Sequence, residues 1–153
     1  MSQVSKWAGP LTVILLVASL AALGYYQFIY MPIANAEVEV PQEWLEPPEE
    51  SIIEIIIGSV NQDQEENYVP KEITIKLGIN NRVIWKNIDT IIHTVSADSG
   101  AEEEFEEEAG RANFLDPDGG EFSFTFTMPG EYFYHCEPHP WMRGTVIVLE
   151  PEA

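Results

Sequence analysis

Residues 128–144 read Met128-Pro129-Gly130-Glu131-Tyr132-Phe133-Tyr134-His135-Cys136-Glu137-Pro138-His139-Pro140-Trp141-Met142-Arg143-Gly144. A Pro-Gly turn opens the stretch, and a strand pattern follows it. Successive strand side chains alternate, so Tyr132, Tyr134 and Cys136 share one face while Phe133 and His135 share the other. At the strand's end Cys136, His139 and Met142 stand at C-x2-H-x2-M spacing. A thiolate, an imidazole and a thioether in one short loop form a soft, mixed donor set that suits copper. Zinc prefers cysteine, histidine or carboxylate and gains little from a thioether. A blue-copper electron-transfer site takes two histidines and a cysteine near one plane, with a weak axial methionine. A second histidine must therefore come from elsewhere. The chain has three histidines, and His135 adjoins the cysteine and points to the opposite face. That leaves His93. The expected donors are His93, Cys136, His139 and Met142, and the expected cofactor is one copper ion alternating between Cu(I) and Cu(II).

Outward from this loop, short β-rich runs recur between turn residues, the pattern of a sandwich or barrel. An apolar run covers 52–58, and 72–77 alternates Ile73, Ile75 and Leu77 with polar partners. Runs at 82–86 and 91–96 flank an Asn87-Ile88-Asp89 turn, and 122–127 alternates Phe122, Phe124 and Phe126 with Ser123, Thr125 and Thr127. Runs at 132–136 and 145–149 close the domain. About seven or eight strands in this length predict an all-β, Greek-key β-sandwich. Trp85 and the three phenylalanines are assigned to the core, and Met128, beside its Pro-Gly turn, to packing.

The 134–144 loop resembles the ligand loop of the amicyanins, short-loop members of the plastocyanin-like cupredoxins. Trp85-Lys86-Asn87-Ile88-Asp89-Thr90-Ile91-Ile92-His93-Thr94-Val95 resembles that family's first-histidine segment, and 128–132 resembles the turn into its cysteine strand. The resemblance covers roughly residues 52–149. It implies a cupredoxin-like sandwich with a type 1 copper site that passes single electrons between redox proteins and is not an enzyme. It also implies that His139 leads electrons out through an apolar patch, here Pro138, Pro140 and Trp141. His135, next to the thiolate, is either a surface-packing residue or, as the resemblance suggests, a second port. Two departures stand out. Thr94 occupies a position where the family has Asn, whose role is to tie the two ligand segments together. A Thr hydroxyl both donates and accepts, so Thr94, with Asn87, is a candidate for supporting the ligands. The other departure is a long acidic stretch between His93 and Phe122.

Two other functions compete with this reading. A mononuclear copper enzyme acting on a small molecule such as nitric oxide needs an open coordination position, which Met142 at this spacing argues against. A copper-delivery protein favours exchangeable Met/His-rich sites, whereas this chain has a rigid thiolate loop.

The ends of the chain set its location. Residues 7–36 carry no charge, and 11–31 form an apolar run of 21 residues. As a helix that run spans about 31 Å, the thickness of a bilayer core. Tyr25, Tyr26 and Tyr30 sit at its far end, where an interfacial aromatic belt belongs. Lys6 precedes it and every acidic residue follows it, which favours an inside N-terminus and a domain on the outer face of the cytoplasmic membrane. The alternative is a signal peptide cleaved at Ala36, because Ala34-Asn35-Ala36 fits the small-residue pattern. The expected organisation is an anchor or signal peptide at 1–36, an acidic Pro-rich tether at 37–50 and the cupredoxin domain at 51–153.

All 26 acids but only six of the seven bases follow Ala36, a net of −20. Such a surface disfavours nucleic acid, which needs a basic face. It suits redox proteins with basic docking faces. The six glutamates in 102–108 read as a solvated loop or as part of such a docking surface, and no EF-hand spacing is present. The single cysteine excludes an intramolecular disulfide.

Overall fold

The alternating apolar residues become strands in the computed structural model, which describes residues 4–35, 40–98, 105 and 113–151. β1 (Glu50–Ile55), β2 (Tyr68–Val69), β4 (Arg82–Asn87) and β8 (Gly120–Thr125) form one sheet in the order β2-β1-β4-β8. β3 (Glu72–Lys76), β6 (Ser96–Ala97), β9 (Gly130–Cys136) and β10 (His139–Leu149) form a second, ordered β3-β10-β9-β6. A short ladder joins β5 (His93–Thr94) to β7 (Phe114–Leu115). The β1–β4 and β3–β10 pairs are parallel and the rest antiparallel. This is the expected two-sheet sandwich, with the extra ladder carrying His93.

The inward-facing residues fill the space between the sheets. Ile53, Ile55, Val83, Trp85 and Phe124 come from the first sheet, and Ile75, Tyr132, Tyr134, Val146 and Val148 from the second. Trp85 is fully buried and lies 5.5 Å from Phe122 and 5.4 Å from Tyr134, centroid to centroid. Phe105, alone in the acidic run, is fully buried against Trp85, Phe124 and Phe126. Burying such a side chain stabilises by about 1.5–3 kcal/mol. The glutamates on either side of Phe105 lie outside the described residues.

The chain divides into two compact units, Met1–Glu39 and Val40–Ala153. The second begins earlier than the expected boundary at residue 51, because part of the 37–50 segment folds onto the sandwich. A helical turn, α3 (Gln42–Leu45), seats Trp44 against Gly78, where an added Cβ would meet the indole at 3.1 Å. Gly78 also has a φ of +73°, which suits glycine. Asn81 Nδ2 donates to the Trp44 carbonyl at 2.7 Å, and Glu49 N–H donates to the Ile79 carbonyl at 3.0 Å. The first unit is helical: α1 (Val4–Tyr25), one π turn (Tyr26–Tyr30) and α2 (Met31–Ala34). Its stretch Gly9–Ala34 is long and apolar enough to cross a membrane. Ala36, the alternative cleavage position, lies outside the described residues.

Strand β10 matters most for the site. Alternation alone predicts a strand at 145–149, yet β10 starts at His139, which pairs with Cys136 across only Glu137 and Pro138. Prolines at 138 and 140 and an irregular register between His139 and Arg143 hide this part of the strand from a pattern reading. The irregularity leaves Met142 buried and Arg143 exposed.

Candidate metal centre

Three of the expected donors meet. Cys136 Sγ lies 3.7 Å from His93 Nδ1 and 3.5 Å from His139 Nδ1, and the three atoms fall within 4.8 Å of one another. Bonds of about 2.0–2.3 Å at near-tetrahedral to trigonal angles put two donors on one ion about 3.5–3.8 Å apart. The spacing fits a metal held between them. His93 and Cys136 are fully buried and His139 is half-buried. Met142, also fully buried, lies three residues along β10 from His139. Soft sulfur with imidazole suits copper over harder ions.

The protonation of these groups follows from their surroundings. Burial raises the Cys136 thiol, while hydrogen bonds from Thr94 N–H and Oγ1 work the other way. Burial and the neighbouring His93 ring push His139 below the usual imidazole range, which keeps its lone pair available at neutral pH. Ring His139 also meets Trp141 edge-on at 5.4 Å.

A residue that pattern reading passed over fixes His93. Asp89 is buried and its Oδ2 lies 3.0 Å from His93 Nε2. A carboxylate only accepts, so it holds the proton on Nε2 and leaves Nδ1 free for a metal. Thr90 N–H at 2.8 Å and Gly58 N–H at 3.2 Å donate to its Oδ1. Burial alone would raise the Asp89 carboxyl. The hydrogen bonds from His93, Thr90 and Gly58 outweigh it, so the pKa lies below the usual range. The stabilisation is therefore present above the ordinary carboxylate pKa and is lost as pH falls through the depressed one. The sequence signal was an acid four residues before the ligand histidine, within a segment read only as a turn.

Thr94 reaches both ligand segments. Its N–H lies 3.4 Å from Cys136 Sγ, and its Oγ1 accepts the Glu137 N–H at 2.8 Å. Asn87 acts one step further out, and among the described residues its hydrogen bonds go to backbone groups. Its Oδ1 accepts the Asp89 N–H, and its Nδ2 donates to the carbonyls of Ile91, Leu115 and Asp116, clamping the loop that carries His93. His135 turns away from the donors. Its Nδ1 lies 2.6 Å from Asp98 Oδ1, and Arg143 holds the other Asp98 oxygen at 3.2 Å. Around His139, Pro138 and Pro140 are exposed and Trp141 is half-buried. Exposed Ile92 precedes His93, and exposed Phe114 pairs with Thr94. Both are exposed apolar residues next to the ligand-bearing β5.

A family model for copper-binding proteins of the plastocyanin/azurin family matches residues 57–149. The chain belongs to the plastocyanin/azurin family. Amicyanin from Paracoccus versutus is 38% identical to this plastocyanin/azurin-family chain over 81 residues, which is 53% of this chain and 57% of amicyanin. The chain thus spans less than two thirds of that relative. Among solved structures, a novel purple cupredoxin from Nitrosopumilus maritimus is similar with a TM-score of 0.53 and 25% identity, covering 65% of this chain and 99% of that one. An amicyanin mutant in its reduced state gives a TM-score of 0.51 at 27% identity, covering 74% of this chain and 88% of that one. Copper is the metal of this family, and the donors found here fit it.

Asp89→Asn should weaken copper binding about 10–100-fold, the usual effect of losing a partner behind a ligating histidine. The amide keeps the shape and removes the charge. A competition titration against a copper chelator measures it, and an unchanged affinity would show that Asp89 does not support His93.

Proposed function

We propose that this chain is a type 1 copper electron-transfer protein that passes single electrons between redox partners on the outer face of the cytoplasmic membrane. The observation that carries this reading is the convergence of Cys136 Sγ, His93 Nδ1 and His139 Nδ1 within 4.8 Å, with buried Met142 on the same strand as His139. Copper, when bound, supplies a one-electron couple. His93, Cys136 and His139 would hold it, with Met142 as a weak further donor. Pro138 and Pro140 fix φ on either side of His139, and burial of His93, Cys136 and Met142 excludes water. Donors held this firmly change little between oxidation states, which favours fast exchange.

His139 is the most exposed of the donors, and Pro138, Pro140 and Trp141 beside it in the chain offer an apolar face for a redox partner. His135 is covalently adjacent to Cys136 and half-buried within the Asp98–Arg143 pair, which supports it as a second port. The acidic surface favours partners with basic docking faces. Gly9–Ala34 supports a membrane anchor, with Tyr26 and Tyr30 stacked at 5.5 Å toward its end. Nothing in the site favours the enzyme reading.

Met142→Leu tests the thioether as a donor. The variant should keep copper and colour while its reduction potential rises, because losing the thioether removes stabilisation of Cu(II) relative to Cu(I). Met128→Leu is the control, since Met128 is 55% exposed and should leave the potential unchanged. An unmoved potential in Met142→Leu would remove Met142 from the site.

A further inference from the structure

The Thr94 hydroxyl sits among three groups. It accepts the Glu137 N–H at 2.8 Å, stands 3.8 Å from Cys136 Sγ, and lies 3.4 Å from Ser96 Oγ. Thr94 and Ser96 are both buried, and they occupy β5 and β6, on either side of Val95. A hydroxyl has one proton and two lone pairs, so hydrogen-bond accounting decides the direction. If Thr94 donated to Ser96, the Ser96 proton would have no acceptor among the described residues, and a buried donor without a partner is costly. If Ser96 donates to Thr94, every proton is placed. Ser96 and the Glu137 N–H occupy the two lone pairs of Thr94, and the Thr94 proton is left for the sulfur.

We infer that Ser96 is a positioning residue for the redox site: its hydroxyl directs the Thr94 hydroxyl onto Cys136 Sγ. The inference rests on the copper reading above. The sulfur then receives a hydroxyl hydrogen bond besides the Thr94 N–H, and a donor to Thr94 polarises its O–H and strengthens the bond it makes in turn. Hydrogen bonds to the thiolate draw electron density from the metal–sulfur bond and favour the reduced state. Both oxygen-to-partner separations are long for such bonds, so Ser96 sets direction and trims the potential without holding the site together.

The test uses the full chain loaded with copper, comparing the parent with Ser96→Ala, Ser96→Thr, Thr94→Val and the double variant Ser96→Ala/Thr94→Val. Potential is read by voltammetry and the thiolate-to-copper absorption by spectroscopy. Ser96→Ala should lower the potential and move the band to lower energy, since a sulfur less stabilised by hydrogen bonding gives up charge more easily. Ser96→Thr keeps a hydroxyl and should hold the parent values. Thr94→Val should shift both readouts further in the same direction, and adding Ser96→Ala to it should change nothing more. A rise in Ser96→Ala would mean that Ser96 takes the Thr94 proton. No shift, or a shift that persists on the Thr94→Val background, would also overturn the inference. A parent chain without the thiolate band would instead show that the copper reading itself had failed, and the inference with it.

Discussion

Replacing Cys136 by serine is expected to give a folded chain that has lost the absorption of a thiolate bound to Cu(II). Cys136 is fully buried at the end of β9, with its Sγ 3.7 Å from His93 Nδ1 and 3.5 Å from His139 Nδ1. Serine matches its size but offers an alcohol, a poor ligand for copper beside a thiolate. The absorption and EPR spectra of the copper-loaded chain should change completely, while circular dichroism keeps the β signature. The parent has a further signature. Burial holds its thiol above the usual range, so at neutral pH copper uptake must release the thiol proton. Affinity should therefore fall as pH falls, and the serine variant should release no such proton. A serine variant that keeps the intense band would mean that Cys136 is not the thiolate donor.

A large loss of stability is expected from Gly144→Ala. Gly144 pairs with Tyr134 across β9 and β10. A Cβ there would fall inside the van der Waals shell of Tyr134 Oη and Cζ, with Cε2 only 2.7 Å away. The tyrosine cannot step aside, because its ring is fully buried between Tyr68 at 4.9 Å and Trp85 at 5.4 Å. Overpacking of this kind costs about 3 kcal/mol or more, a fall in Tm on the order of 10–20 °C for a domain of this size. Because the same two strands carry Cys136, His139 and Met142, copper binding should weaken alongside. Thermal unfolding of the apo chain measures the first effect. Combining the change with Tyr134→Leu, which removes the clashing atoms, should cost less than the sum of the two single changes. Strict additivity, or a Tm within a few degrees of the parent, would place the strain elsewhere.

How much of this was legible beforehand depended on the distance over which each interaction acts. Strand alternation read Phe124 and Phe126 into the core and put Cys136 and His135 on opposite faces. The two-sheet sandwich followed because period-two burial is a local property of the chain. The soft donor set could be read because Cys136, His139 and Met142 lie within seven residues of one another, and His93 followed by elimination among three histidines. The residues that went unread act across gaps that no local pattern reports. Phe105 sits in a run of glutamates and packs on Trp85, 20 residues earlier in the chain. Trp44 looks like part of a tether until Gly78 and Asn81 receive it. Asp89 reads as a turn residue, and only the folded loop brings its carboxylate to His93 and to the Gly58 N–H. The early start of β10 depends on pairing with β9, which overrides the prolines that suggest a loop. The sequence by itself determined which atoms can bind copper and which faces are buried, because donor chemistry and alternation are written residue by residue. The tertiary structure alone decided which hydrogen bonds orient those donors and which segments brace them, because hydrogen bonds and close packing require atoms to meet within a few ångströms, wherever they lie along the chain.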